Sequence, residues 1–179
     1  MYTLLLVDDE EDVIEVIERK VSWEQIGFHV VGHAGNGFKA LEMMEDMQPD
    51  VVMTDIRMPY MDGLELCSNI RQRFPATKLL LFTGFDDFEY AKEAVHLEIE
   101  EYILKPLNLA EITEVFKKLK TKLDDELNEK KNTDILKQYY AASLPVLQSN
   151  FYTTLIDGRI PENELGRYMS DYKISLEGP

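Results

Sequence analysis

The sequence predicts a doubly wound α/β domain, in which helices cover both faces of a parallel sheet. Five short apolar runs alternate with helix-length amphipathic segments over residues 1–107. Most of the runs are continuously apolar and do not alternate with polar residues, as expected for strands that are buried on both sides. The runs cover residues 4–7, 28–31, 51–53, 79–82 and 102–104.

The segments between the runs carry the spacing and the start signals of helices. Their apolar residues recur at close to helical spacing around residues 13–17, 40–44, 64–70 and 90–95. Three capping boxes mark helix starts, namely Asp62 with Glu65, Asp86 with Glu89, and Asn108 with Glu111. Five βα units of this size predict a five-stranded parallel sheet with the flavodoxin-like strand order 2-1-3-4-5.

An extended C-terminal helix is predicted after Pro106. The apolar residues that recur there at intervals of three and four are Leu109, Ile112, Phe116, Leu119 and Leu123. This spacing is that of a coiled-coil seam, but the register slips at Leu127. Two interpretations stay open. The helix either packs on its own domain and frays beyond it, or leaves the domain and pairs with a second copy of the chain.

The last part of the chain reads as the start of a second region. Its apolar spacing predicts one helix ended by Gly158 and another that begins near Pro161, and residues 172–176 could start a strand. So short a segment rarely buries enough apolar surface to fold alone. The predicted parts are a domain at residues 1–120, a helical linker and possible coiled coil at 121–142, and a segment at 143–179 that either docks elsewhere or belongs to a domain whose remainder is missing.

The composition excludes several classes of protein. The 34 acidic residues against 19 Lys and Arg give a net charge of -15, and nucleic acids or anionic membranes require a basic surface. The single cysteine, Cys67, cannot form an internal disulfide, and three histidines without a cysteine cluster do not predict a zinc site. No apolar run approaches 18 residues, so we expect a soluble cytoplasmic protein without membrane contact.

Polar side chains follow four of the five predicted strands. Asp8 and Asp9 come after the first apolar run, Asp55 after the third, Thr83 after the fourth and Lys105 after the fifth. The carboxyl ends of parallel strands meet at one edge of a sheet, where ligands bind at the reversal of strand order. The sequence therefore predicts that these five side chains share one pocket.

Three carboxylates in one pocket repel each other, by roughly 3 kcal/mol for each ionised pair about 5 Å apart at an effective dielectric near 20. Such a cluster must hold a proton, pair with Lys105 or bind a cation, and oxygen ligands favour Mg²⁺ or Mn²⁺. Together with Thr83, these groups suit phosphoryl transfer to Asp55. Each residue alone has an ordinary reading as a helix cap, a turn residue or a solvated cation, and their coincidence at four strand ends favours the functional one.

The motifs around these residues resemble the receiver domain of two-component response regulators. They occupy residues 6–10, 54–59, 61–63, 83–84 and 105–106, and the resemblance covers about residues 1–120. It implies that Asp55 is the phosphoacceptor and that Lys105 contacts the phosphoryl oxygens. Asp9 would bind Mg²⁺ directly, Asp8 mainly through water, and Arg57 through its backbone carbonyl.

Two further features follow from this resemblance. Thr83 and Tyr102 match the switch pair of the family, in which the hydroxyl moves toward the phosphoryl group while the aromatic ring turns inward. The bond between Lys105 and Pro106 is expected to be cis.

Residues 36–37 and 84–92 are similar to a narrower group, the receivers of the YesN subfamily, which carry a C-terminal AraC-type helix-turn-helix. No helix-turn-helix is recognisable in these 179 residues, so the resemblance implies either a truncated regulator, whose DNA contacts belong to a missing domain, or one that has lost its output. It also implies that residues 143–179 are the start of a middle or regulatory region. Two residues depart from the subfamily pattern: Tyr60 and Glu98 stand where glycine is usual.

The function implied is that of a phosphoacceptor rather than an enzyme. A histidine kinase would be the partner, and phosphorylation would reshape the face formed by the fourth helix, the fifth strand and the fifth helix. We expect this change, or the linker helix, to control homodimerisation. An aspartate-nucleophile phosphatase is disfavoured because Arg57 stands two residues after Asp55, where that class needs a second aspartate. A phosphate-independent interaction module remains the alternative.

Overall fold

The core of the chain is a five-stranded parallel sheet, as the apolar runs predicted. In the computed structural model, which describes residues 1–84, 95–106 and 108–175, the strand order is β2-β1-β3-β4-β5. Each predicted run lies inside one strand. The strands are β1 Tyr2–Val7, β2 Phe28–Ala34, β3 Val51–Asp55, β4 Lys78–Thr83 and β5 Glu101–Leu104.

Five α-helices and one 3₁₀ helix lie wholly within the described part of the chain. They are α1 Glu11–Lys20, the 3₁₀ helix Trp23–Ile26, α2 Gly37–Met47, α3 Gly63–Arg73, α4 Leu109–Ile156 and α5 Glu162–Asp171. The predicted helix around residues 90–95, with the Asp86–Glu89 pair at its start, falls mostly in residues 85–94, outside the described residues. The chain divides into two compact units, Met1–Leu123 and Asp124–Pro179.

Side-chain acceptors begin three of the helices. Asp62 accepts a hydrogen bond from the backbone N–H of Glu65 at 2.8 Å, as its capping box predicted. Asn108 accepts from the N–H of Ala110 at 3.0 Å, close to the start of α4. The cap of α2 is Asn36, which accepts from the third residue of the helix.

Two apolar clusters explain why the strands lack a polar side. Successive residues of β1 alternate between them, with Leu4 and Leu6 in the first cluster and Leu5 and Val7 in the second. The first cluster also contains residues of α1 and α4, and the second contains residues of α2 and α3. Each strand of the sheet interior is therefore covered on both faces, which requires continuously apolar runs.

The regularly spaced apolar residues at the start of α4 pack onto the sheet. Ile112 and Phe116 are fully buried and Leu119 nearly so, all in the first cluster. The ring of Phe116 lies 4.8 Å from Trp23 and 5.0 Å from Phe28, edge-on to both. Of the two interpretations of this spacing, packing on the chain's own domain is confirmed for these residues.

The other part of that interpretation, fraying of the helix beyond the domain, is wrong, and pairing with a second copy stays a prediction. The helix continues without a break to Ile156 and absorbs the separate helix predicted after residue 143, although Pro145 lies inside it. Residues 125–143 are exposed all around the helix. They contain no glycine or proline, and residues such as Leu, Glu, Lys and Ala sustain a helix by intrinsic preference.

The second unit contains the part of α4 that follows Leu123 and the short helix α5. Gly158 ends α4 with a positive φ of 67°, as predicted, and α5 begins one residue after Pro161. The ring of Phe151 lies 6.4 Å from that of Tyr168 and 6.3 Å from that of Tyr172.

The strand suggested for residues 172–176 does not form over the described residues 172–175. The backbone N–H of Ile174 instead donates to the carbonyl of Met169, and Lys173 takes a positive φ of 53°. The end of α5 thus uses the backbone donor that a strand would have needed. Among the helices that the structure describes, none combines the length and the apolar composition required to cross a bilayer.

Replacing Phe116 by alanine should lower the free energy of unfolding by about 3–5 kcal/mol, because it removes a fully buried ring that fills the space between two others. Leu136→Ala is the matched control on the same helix, since this side chain is 68% exposed and its loss should cost less than about 0.5 kcal/mol. Urea unfolding of both variants measures the difference. Equal, small effects would contradict the packing of α4 onto the sheet.

Candidate functional site

The carboxyl edge of the sheet brings the predicted residues together. Asp8 directly follows β1, Asp55 is the last residue of β3, Thr83 is the last of β4 and Lys105 directly follows β5. β3 lies between β1 and β4 in the sheet, and β5 lies next to β4. The four strand ends are therefore consecutive along one edge, because the sheet is parallel throughout.

The carboxylates of Asp8, Asp9 and Asp55 form one cluster. Each offers an oxygen atom, and these three oxygens lie within 4.8 Å of one another. Asp8 is 1% exposed and Asp55 6% exposed, whereas Asp9 faces solvent. An oxygen-only cluster that is open on one side has the donor set of a hard divalent cation.

The ammonium group of Lys105 lies among these acids. Its Nζ atom is 3.1 Å from Oδ2 of Asp8, 3.4 Å from Oδ1 of Asp55 and 3.8 Å from Oε1 of Glu10. The same atom lies 5.0 Å from the centre of the Phe82 ring, which is fully buried. The position of this ammonium group is therefore defined by acids on several sides and by an aromatic face.

Burial makes the two inner carboxylates hard to ionise. Desolvation raises the pKa of Asp8 and the pKa of Asp55 above the usual aspartate value, and Lys105 offsets only part of this effect. For Lys105, burial alone would lower the pKa, but the charges of Asp55 and Asp8 outweigh it and raise the pKa. The pocket therefore holds a protonated lysine beside carboxylates that gain from any further positive charge.

Backbone contacts hold Asp8 and Asp55 in place. Asp8 accepts a hydrogen bond through Oδ1 from the N–H of Glu10 at 2.8 Å, so its second oxygen is the one that meets Lys105. The alternative interpretation of Asp8 as a cap of the first helix is wrong, since the residue at the N-cap of α1 is Glu10 and no side chain caps this helix. Gly63 donates to the carbonyl of Ile56 at 2.8 Å, and a Cβ at Gly63 would lie only 2.0 Å from the carbonyl oxygen of Asp55. Only glycine allows this approach.

The predicted switch residues lie on neighbouring strands. Thr83 is fully buried and Tyr102 is half-buried, with its ring against the cluster that contains α2 and α3. Tyr102 pairs in register with Leu81, two residues before Thr83. Since side chains alternate along a strand, Thr83 and Tyr102 belong to the same face of the sheet. Arg57 is exposed in the loop after β3, and the role of its carbonyl stays a prediction.

The peptide bond between Lys105 and Pro106 is cis, as the resemblance implied. The backbone N–H of Lys105 donates to the carbonyl of Thr83 at 2.7 Å, which ties the last two strand ends together.

Three contributors to the pocket were missed at the level of sequence. Glu10 directly follows the acidic pair, and that adjacency is its only signal in the sequence. Phe82 lies in an apolar run and reads as a core residue. Its ring shares a face with Asp55 because the two residues pair in register across β3 and β4, and this register is a property of the folded sheet. The close approach of Gly63 to Asp55 has no signature in the sequence beyond the glycine itself.

The two departures from the subfamily pattern both fall on left-handed backbone. Tyr60 has a φ of 71° and Glu98 a φ of 52°, conformations that glycine adopts without strain. The side chain of Tyr60 is 87% exposed, so it extends into solvent. The glycines expected at these two positions thus have a backbone explanation.

The sequence profile of the response regulator receiver domain matches residues 4–117. This chain belongs to that family. The receiver is 36% identical to the receiver domain of AraT, a response regulator from Geobacillus stearothermophilus, with a TM-score of 0.67. That match covers 70% of this chain and 98% of the AraT domain structure.

Two longer regulators are also similar. YesN of Bacillus subtilis, an uncharacterised transcriptional regulatory protein, is 37% identical over 137 residues, which are 76% of this chain and 37% of YesN. HptR of Staphylococcus aureus, a transcriptional regulatory protein, is 26% identical over 164 residues, which are 91% of this chain and 64% of HptR. The chain thus spans less than two thirds of either relative, and the match to HptR extends well past the receiver.

Asp55→Asn should stabilise the metal-free protein at neutral pH by roughly 1 kcal/mol. Folding raises the pKa of Asp55, so ionisation of this carboxylate lowers the free energy of unfolding at neutral pH. This penalty disappears as the pH falls toward the ordinary aspartate pKa of 3.8. The neutral amide should remove the cost at every pH. Urea unfolding in a chelator measures it, with the exposed Asp46→Asn as control. A loss of stability in Asp55→Asn would mean that its attraction to Lys105 outweighs burial.

Proposed function

We propose that this chain is a phosphoacceptor response regulator in which Asp55 receives a phosphoryl group from a sensor histidine kinase. The observation that carries the proposal is the meeting of Lys105 with the carboxylates of Asp8 and Asp55 at one sheet edge, at 3.1 and 3.4 Å. A nucleophilic carboxylate, an ammonium group and further acids form a site for a dianionic phosphoryl group only if more positive charge is supplied.

We propose Mg²⁺, or Mn²⁺ in its place, as that charge. Asp8, Asp9 and Asp55 would hold it together with the backbone carbonyl of Arg57. The donor set fits a hard cation, because all the ligands are oxygens and burial leaves two of the carboxylates in need of a counter-charge. A divalent cation in such a site neutralises the negative charge that develops on the phosphoryl oxygens.

The residues of the pocket then have distinct tasks. A carboxylate oxygen of Asp55 attacks phosphorus. The new O–P bond forms as the P–N bond to the kinase histidine breaks, and the imidazole leaves with the electron pair. Lys105, whose Nζ is 3.4 Å from Asp55, donates hydrogen bonds to the phosphoryl oxygens. The second acid of the pair, Asp8, keeps Lys105 protonated and oriented.

Phosphorylation would change the conformation of the protein through Thr83 and Tyr102. Phosphorylation adds charge and three strong acceptors at Asp55, toward which the hydroxyl of Thr83 would move. Space on that face of the sheet would then admit the ring of Tyr102. The fifth strand and the helices beside it would change shape, and we propose that homodimerisation through this face or through the linker helix is the result.

The domain organisation that we propose rests on the similarity to longer regulators. We propose a receiver at residues 1–120, a helical linker at 121–142 and the start of a middle region at 143–179. Contact with DNA would belong to further segments of a longer regulator, since this acidic chain is a poor ligand for nucleic acid. Such a protein would work in the cytoplasm, where its kinase partner phosphorylates it, and would act as a stoichiometric acceptor without turnover.

Incubation with acetyl phosphate and Mg²⁺ tests the central proposal. We expect intact-protein mass spectrometry to show a gain of one phosphoryl group, which disappears in Asp55→Asn and without Mg²⁺. Asp46→Asn, an exposed aspartate on α2, is the matched control and should be labelled like the wild type. An unlabelled wild type would instead support the phosphate-independent interaction module, and turnover beyond one equivalent would support a phosphatase.

The proposed output is tested by sedimentation with beryllofluoride and Mg²⁺, which mimic the phosphoryl group. We expect the mass to shift from monomer toward dimer in the wild type and to stay unchanged in Asp55→Asn. A monomer mass in both would reject dimerisation as the output of this chain, whether or not Asp55 is labelled.

A further inference from the structure

The edge of the sheet opposite the pocket carries a second charged cluster, centred on Glu100. This residue directly precedes β5, and its side chain is only 16% exposed. Oε1 of Glu100 lies 3.4 Å from Nζ of Lys78, at the start of β4, and Oε2 lies 2.6 Å from Nζ of Lys122. One carboxylate thus joins the starts of two strands to α4.

The surroundings strengthen these two ion pairs. Leu80, Val115 and Leu119 line the same cleft as Glu100, and apolar walls reduce the screening of charge by water. Burial alone would raise the pKa of Glu100, but the bond to Lys122 and the charge of Lys78 outweigh it and hold the pKa below the usual range. The backbone N–H of Glu100 also donates to the carbonyl of Leu79 at 2.8 Å.

A second side chain fixes the residues just before Glu100. Nε of Arg71, on α3, donates to the carbonyl of Leu97 at 3.1 Å, and its Nη2 donates to the carbonyl of Glu98 at 2.9 Å. Segment 97–100 is therefore tied to α3 by one residue and to α4 by another. Its other neighbour along the chain is β5, which carries Tyr102 and ends just before Lys105.

Lys122 connects this cluster to the point where the first unit ends. Lys122 lies one residue before the end of the first unit, on the last turn of α4 that packs onto the sheet. A shift of β5 moves Glu100, because the two are adjacent in the chain, and Glu100 in turn holds the helix at Lys122. The bond joins the start of β5 to the last turn of α4 that packs onto the sheet.

We propose that the bond between Glu100 and Lys122 is the coupling element that passes the state of the phosphorylation pocket from β5 to the part of α4 that follows Leu123. This inference rests on the proposed function, since it needs a pocket with two states. Glu100 acts here as a positioning residue and does not touch the phosphoryl site. The pair Glu114–Lys117, at 2.8 Å on the exposed surface of the same helix, lies within one element and, among the described residues, does not join a strand to α4.

Hydrogen–deuterium exchange of the full chain, with and without beryllofluoride and Mg²⁺, tests the coupling. In the wild type we expect the exchange of amides 119–135 to change on addition of the mimic. Glu100→Gln and Lys122→Gln should each reduce that change by roughly threefold or more. Lys122→Arg, which keeps the charge, should retain it, and Glu114→Gln is the matched control.

Labelling of Asp55 by acetyl phosphate is measured in parallel on every variant and should stay within about twofold of the wild type. Together, a lost helix response and intact labelling support the coupling. An unchanged response in both Gln variants would overturn it, as would a wild type that is labelled without any helix response. Loss of labelling in the variants would also overturn it, because Glu100 would then affect the phosphorylation of Asp55 itself. A wild type that is never labelled rejects the proposed function itself, and the coupling with it.

Discussion

Concentrated negative charge at one edge of a parallel sheet is the constraint around which this molecule is arranged. Two buried carboxylates and one exposed one lie within 4.8 Å of one another, and burial raises the pKa of both inner acids. Lys105 can approach both of these acids because only β4 separates β5 from β3 in the sheet. The ionised carboxylates of such a site repel one another and lower the stability of the fold, and added cations offset this repulsion. The same property makes it responsive to what binds there.

The rest of the receiver positions this edge through contacts that take no direct part in the chemistry of the pocket. Gly63 lets the start of α3 press against the backbone of Asp55, and the ring of Phe82 lies beneath the ammonium group of Lys105. At the opposite edge, Arg71 and Glu100 tie segment 97–100 to α3 and α4. β5 is thus bounded by ion pairs and hydrogen bonds at its start and by the charged pocket at its end.

Most of the fold and of the pocket could be predicted from the residues, for identifiable reasons. The five strands were recognisable because strands covered on both faces must be apolar throughout, and Asp8, Asp55 and Lys105 were recognisable because each breaks such a run at its carboxyl end. The ambiguity of the regular spacing from Leu109 to Leu123 could not be resolved in this way. A helix that packs on its own sheet and one that packs on a second helix need the same apolar periodicity. The strand suggested at residues 172–176 was wrong over its described part because β-prone residues there close the end of a helix.

The sequence by itself determined which residues are strands, which polar groups end them and hence which groups can meet, since alternation, apolar runs and chain order are local properties. The tertiary structure decided which oxygen faces Lys105, that Phe82 and Glu10 take part, and that Glu100 joins β5 to α4. Those outcomes depend on distances between segments far apart in the chain, and such distances follow only from the packing of helices onto the sheet. Only that packing shows that the apolar spacing at the start of α4 is already used inside the receiver.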